Sequence, residues 1–161
     1  MTHRSLYDED ILLWSEEQAE NIRRLGRKRG DLPNDIDVEN VAEEIESVGR
    51  SELAAVESQI HNVFVHLIKL ALEPDADSAR HWKSEIAGFH AELNRRYTPS
   101  MRERVNLDRV WRSAKRQVLL DLPEELAAAA ILPDSSPVGF DMLLAEEFHT
   151  AGAVNLLARP V

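Results

Sequence analysis

Glu43, Glu44 and Glu46 crowd into four positions beside Gly49, Arg50 and Ser51, and an apolar run carrying His61, His66 and Lys69 follows. Carboxylates and imidazoles on helices are the donor set of di-metal carboxylate bundles. Glu44, Glu46 and His66 are therefore the candidate ligands of a metal-assisted hydrolase or nuclease. Spacing opposes that chemistry, because Glu44 and His66 stand 22 positions apart, about 33 Å along a straight helix at roughly 1.5 Å per residue. They meet only through a sharp fold at Gly49 or across a subunit interface. In the plainer reading Glu46 pairs with Arg50 one turn on, Glu43 is solvated, and the run fixes how its helix packs.

A second constellation shares the helix. Between Ile60 and Leu72 apolar residues point in nearly every direction, which predicts the central helix of the fold, and Asn62, His66 and Lys69 fall on one narrow polar strip that Ser51 and Glu44 extend. An unpaired buried charge is costly. His66 and Lys69 thus either line a pocket as candidate catalytic groups or contact a neighbouring helix, through Asp10 or Glu16. The contact is the reading the sequence favours.

Helices must position these groups, for apolar residues recur at helical spacing throughout and no stretch alternates with period two. The fold class is all-α, a bundle of about four main helices. The first is predicted from Asp8 to Lys28, with an inner stripe of Ile11, Trp14, Gln18, Ile22 and Leu25. The segment 30–35 is a turn by composition. The second starts after Asp37, its N-cap, and runs to Leu72 with a stripe of Val38, Val41, Ile45, Val48, Glu52 or Leu53, Val56, Ile60, Val63, Leu67 and Leu70. It is expected to bend at Gly49. A third spans Ser78 to Tyr97 and a fourth Met101 to Leu120. Short pieces at Pro123 to Ile131 and Gly139 to His149 follow, so that residues 1–161 form one domain with its core in 6–120 and a peripheral tail in 121–161.

Ten Lys and Arg residues against five Asp and Glu make 78–121 basic, and an RNA-binding face there is the third reading. The arginines spread around their helix without interleaved aromatic residues, which favours a solvated face and intramolecular ion pairs. Trp14, Trp82 and Trp111 each fall on an apolar stripe and read as core. No glycine-rich phosphate loop, Gly-x-Ser-x-Gly elbow or His-Glu-x-x-His motif is present, and no cofactor is predicted.

The chain of 161 residues has no cysteine, which excludes disulfides and thiolate chemistry. Its net charge of -10 disfavours nucleic acid and anionic membranes as partners. The N-terminus lacks a signal segment and no apolar run approaches the length of a membrane helix, so a cytoplasmic location is expected.

With these residues in view the chain resembles the bacterial family called domain of unknown function number twenty-nine. The resemblance rests on Tyr7, Asp10 and Trp14; on Glu43 to Glu46 with Gly49, Arg50, Ser51 and Glu52; on His66, Leu67 and Lys69; and on Trp82, Ile86, Pro99 and Ser100. It covers about residues 6–120 and, more loosely, the tail. It implies a helical bundle in a bacterial cytoplasm and no established activity, and it marks Asp10, Trp14, Gly49, Arg50 and Trp82 as structural motif residues. The expected function is protein contact or regulation, with a second copy of the chain among the partners, since the long helix would leave apolar surface for it to cover.

Overall fold

The computed structural model describes residues 5–30, 32–33 and 35–158. Asp31 and Asn34 of the expected turn lie outside them. Eight α-helices and one 3-10 turn account for most of the described residues, and no strand occurs among them. In order these are α1 (Leu6–Glu9), α2 (Ile11–Lys28), α3 (Val38–Leu72), α4 (Ala79–Arg96), the 3-10 turn Pro99–Glu103, α5 (Leu107–Asp121), α6 (Glu124–Ala129), α7 (Phe140–Leu143) and α8 (Thr150–Leu157). The described residues group into two units, one within 5–55 and 97–105, the other within 56–96 and 106–158.

Capping chemistry sets the boundaries. The first helix does not run from Asp8. Asp10 leaves helical geometry and its carboxylate accepts from the Leu13 N–H at 3.1 Å, so α2 starts at Ile11, and Asp8 and Glu9 belong to the separate turn α1. Asp37 accepts from the Asn40 N–H at 3.1 Å at the start of α3, as the sequence predicts. The predicted fourth helix is two elements. Pro99 opens a 3-10 turn, and Asn106 then caps α5 by accepting from the Arg109 N–H at 2.9 Å. Helix α3 is unbroken through Gly49.

In the first unit the buried face differs from the predicted stripe. Leu12, Ser15 and Ala19 of α2 are buried, whereas Leu25 is 46% exposed. On α3 the small residues Ala42 and Gly49 are buried, while Val41 and Val48 remain 44% and 43% exposed. The reason is close approach: a Cβ on Gly49 would stand 2.1 Å from the Ser15 hydroxyl and 3.1 Å from the Leu12 Cα. Small residues face α2 here, and the large β-branched ones turn outward.

The second unit has the larger core. Ile60, Val63, Phe64, Val65, Leu67, Ile68 and Leu70 are all buried, as expected of a central helix. Ile86 and Leu93 of α4 and Val110, Trp111, Ala114 and Val118 of α5 are buried with them. Trp111 meets Phe64 edge to face at 5.5 Å and donates to the Pro133 carbonyl at 2.9 Å. Of the three tryptophans only Trp111 is fully buried; Trp14 and Trp82 are half-buried. The core extends past residue 120, because Val138, Leu143, Ala153 and Leu157 are each no more than 1% exposed. Polar staples hold this tail within the unit. Ser136 donates its N–H to Asp108 at 2.8 Å, and Asn94 donates to the Leu143 carbonyl at 3.3 Å.

Candidate functional site

The polar strip on α3 acquires its partners from α4. His66 lies one turn after Asn62, so its Nδ1 reaches the Asn62 carbonyl at 2.8 Å. A carbonyl oxygen only accepts, which makes Nδ1 the donor. The other ring nitrogen, Nε2, stands 2.6 Å from a carboxylate oxygen of Glu85. His66 thus bridges the Asn62 carbonyl of its own helix and the Glu85 carboxylate of α4. The His66 side chain is only 13% exposed and its ring lies 5.3 Å from that of Phe89. His81, one turn before Glu85 on α4, approaches the second carboxylate oxygen at 3.4 Å.

Lys69, one turn further along α3, is half-buried and holds its ammonium 5.9 Å from the centre of the Trp82 ring, at the outer reach of a cation–π contact. His66 and Lys69 therefore contact the neighbouring helix α4, with Glu85 and Trp82 as partners in place of the expected Asp10 or Glu16. Glu85 was not among the residues singled out from the sequence. Its position one turn after His81, on the helix opening at Ala79, is the only signal the chain offers for it.

The acidic run sits in the first unit and is organised by Arg23 of α2. Its guanidinium is 2.9 Å from Glu39, 3.6 Å from Glu43 and 2.9 Å from Glu46. Its pKa is raised, first by the hydrogen bond to Glu39, then by that to Glu46. Arg50 adds contacts to Glu43 at 2.5 Å and to Glu46 at 3.7 Å. Glu43 is thus ion-paired where the sequence reading left it solvated. Glu44 is exposed. Of the candidate metal ligands, Glu46 is held by Arg23 and Arg50 and His66 by Glu85. Among the described residues no group of three or more His, Asp or Glu side chains has a geometry that could hold a metal ion.

Asp10 is a buried acid, 6% exposed, with several partners. Besides capping α2 it accepts from the Thr98 hydroxyl at 3.0 Å, the Ser100 N–H at 2.9 Å and the Ser100 hydroxyl at 2.7 Å. Burial alone pushes its pKa up, but the hydrogen bonds from Ser100, Leu13 and Thr98 together outweigh burial and hold the carboxyl below its usual range. Nearby, Tyr97 has its phenol pushed up, first by burial. Trp14 meets Tyr7 edge to face at 4.8 Å. Basic residues of 78–121 are engaged in part: Arg104 with Glu16 at 2.9 Å, Arg109 with Glu57, and Arg95 and Arg96 with Glu92, whose pKa they lower to about 2, Arg95 contributing first.

These contacts define a class: an all-helical protein whose polar motif residues serve as clamps between helices. Asp10, Gly49, His66, Lys69 and Trp82 each take part in a contact between helices, while Arg50 pairs with Glu43 and Glu46 of its own helix. The chain belongs to the family described as Domain of unknown function DUF29, whose model matches residues 6–149. It is similar to an alpha-helical protein of unknown function from Rhodospirillum rubrum, seen in a crystal structure, with 35% sequence identity and a TM-score of 0.85 over 95% of this chain and 97% of that one. No curated protein matches. No helix among the described residues is long and apolar enough to cross a membrane.

Proposed function

We propose that the protein works by protein contact, through the outward face of α3 in the first unit. The observation that carries this reading is the inversion of that helix: Ala42 and Gly49 are buried while Val41 and Val48, seven residues apart, stay more than two-fifths exposed, with half-buried Ile45 between them. A run of large apolar side chains at helical spacing on the solvent side is the form a helix-in-groove contact takes. The saturation of Asp10, Glu46 and His66 by intramolecular partners also favours contact over the alternative of a metal-assisted hydrolase.

Site-specific photocrosslinking tests this reading. A photoreactive residue at Val48, in cells that naturally make the protein, is expected to form covalent protein adducts, and the same residue at exposed Lys83 is not. Absence of adducts at Val48 overturns the reading. Stoichiometric metal in the purified protein, lost on replacing Glu46 or His66, would favour the hydrolase instead.

A further inference from the structure

The second unit carries a different surface. Helix α5 ends in an open groove of about 590 Å³ lined by Arg112, Lys115, Arg116, Leu119, Leu120 and Asp134. Lys115 is occupied, donating to the Pro133 carbonyl at 3.1 Å and lying 3.3 Å from Asp134. Arg112 and Arg116, one turn apart and both exposed, have no ion-pair partner among the described residues. Two neighbouring guanidinium groups without an ion-pair partner among the described residues thus line one groove in a chain of net charge -10. The groove floor is apolar, and Leu120 is 78% exposed.

Complementary chemistry lies just downstream. Helix α6 exposes Glu124 and Glu125, which likewise have no ion pair among the described residues, and beside them Leu126 and Ile131 are 51% and 81% exposed. Leu120 stands midway in sequence between Arg116 and Glu124. In a two-fold contact every residue pair occurs twice with its members exchanged. A two-fold contact that pairs Arg116 of each copy with Glu124 of the other would satisfy both charges twice over and place the exposed leucines at the same seam.

We propose that this surface joins two copies of the chain, with α6 of each seated on the α5 groove of the other. The inference rests on the reading of the protein as one that works by contact, and it uses a face separate from that of Val41 and Val48. The apolar residues supply the area, and the crossed Arg116 and Glu124 pairs fix the antiparallel register.

Charge exchange tests it. Light scattering on the full chain at about 100 µM, well above the µM dissociation constants of ordinary contacts, is expected to give a dimer. R116E and E124R each weaken it by at least tenfold, and the double exchange R116E/E124R restores it. L120D abolishes it. Circular dichroism of each variant confirms the helical fold. A monomer at this concentration overturns the proposal, as does a dimer indifferent to L120D and to both single reversals, or one that the double exchange fails to restore. None of these results touches adducts at Val48. Loss of those adducts with an intact, charge-exchangeable dimer would instead remove the α3 reading alone.

Discussion

Asp10 and Ser100 are bound twice across ninety residues of chain: one carboxylate oxygen accepts the serine hydroxyl at 2.7 Å and the other its backbone N–H at 2.9 Å. Asp10 also caps α2, so one buried side chain starts a helix and anchors the 3-10 turn that follows Tyr97. Removing it leaves the Ser100 N–H and the Thr98 hydroxyl without their acceptor. Asp10→Ala should cost about 3 kcal/mol, combining the loss of a cap with that of hydrogen bonds to a charged group. Asp10→Asn keeps a capping oxygen and should cost less. Urea denaturation gives both values, and a loss below about 1 kcal/mol for the alanine variant would count against the clamp.

The same residue sets an acid limit. Its folded pKa lies below the ordinary carboxylate value, so the stability it contributes is fully present above the unfolded value, near pH 4, and is lost as pH falls through the lower folded one. The wild-type protein should therefore lose stability more steeply than Asp10→Ala as pH falls below about 4. Parallel pH profiles of the two proteins in this window would show that Asp10 is not held in its ionised form.

Gly49 and Gly88 both lie inside helices and should respond oppositely to alanine. At Gly49 the new Cβ meets the Ser15 hydroxyl at 2.1 Å and the Leu12 backbone at 3.1 Å, whereas at Gly88 nothing stands within 4 Å. Gly49→Ala is expected to destabilise by about 1–3 kcal/mol through overpacking. Gly88→Ala is expected to stabilise by up to about 1 kcal/mol through helix propensity. Ser15→Ala should recover part of the Gly49→Ala loss, and thermal melts of the four proteins read the coupling.

The helical class and the central position of 60–72 were legible because a helix apolar on nearly every side has no other place. The inward face of α3 was not. Periodicity ranks faces by size and oiliness, and so turned Val41 and Val48 inward. The actual contact is a close approach of the α2 backbone to Gly49, on the face where Ala42 is also buried. The Asp10 clamp was half legible, since Asp10, Pro99 and Ser100 stood out as motif residues. Nothing in a single sequence says that positions ninety apart share a hydrogen bond. For His66 the need for a partner could be read from its oily setting, but Glu85 could not be told from other acids without the α3 to α4 contact.

That contact has a measurable strength. His66 is largely buried but Glu85 is 36% exposed, so solvent screens the pair from one side. A double-mutant cycle with His66→Gln and Glu85→Gln should return a coupling of about 1 kcal/mol, short of the value for a sealed pair. A coupling indistinguishable from zero would mean that the two side chains are neighbours without being partners.

The tail offers the sharpest test of where the second core lies. Helices of four and eight residues carry too few periodic positions to announce a buried face, which is why 121–161 reads as periphery in the sequence. Leu143, in the four-residue α7, is nevertheless 0% exposed, and the Asn94 side chain holds its carbonyl. If this leucine belongs to the core, Leu143→Ala should cost about 2–5 kcal/mol, the range for a fully buried leucine whose cavity cannot collapse. Leu126→Ala, at a site 51% exposed in the six-residue α6, should cost less than about 0.5 kcal/mol in the monomer. Chemical denaturation at low protein concentration separates the two. Equal, small losses would return the tail to the periphery, whereas the expected contrast makes Val138, Leu143, Ala153 and Leu157 part of one packed unit with α4 and α5.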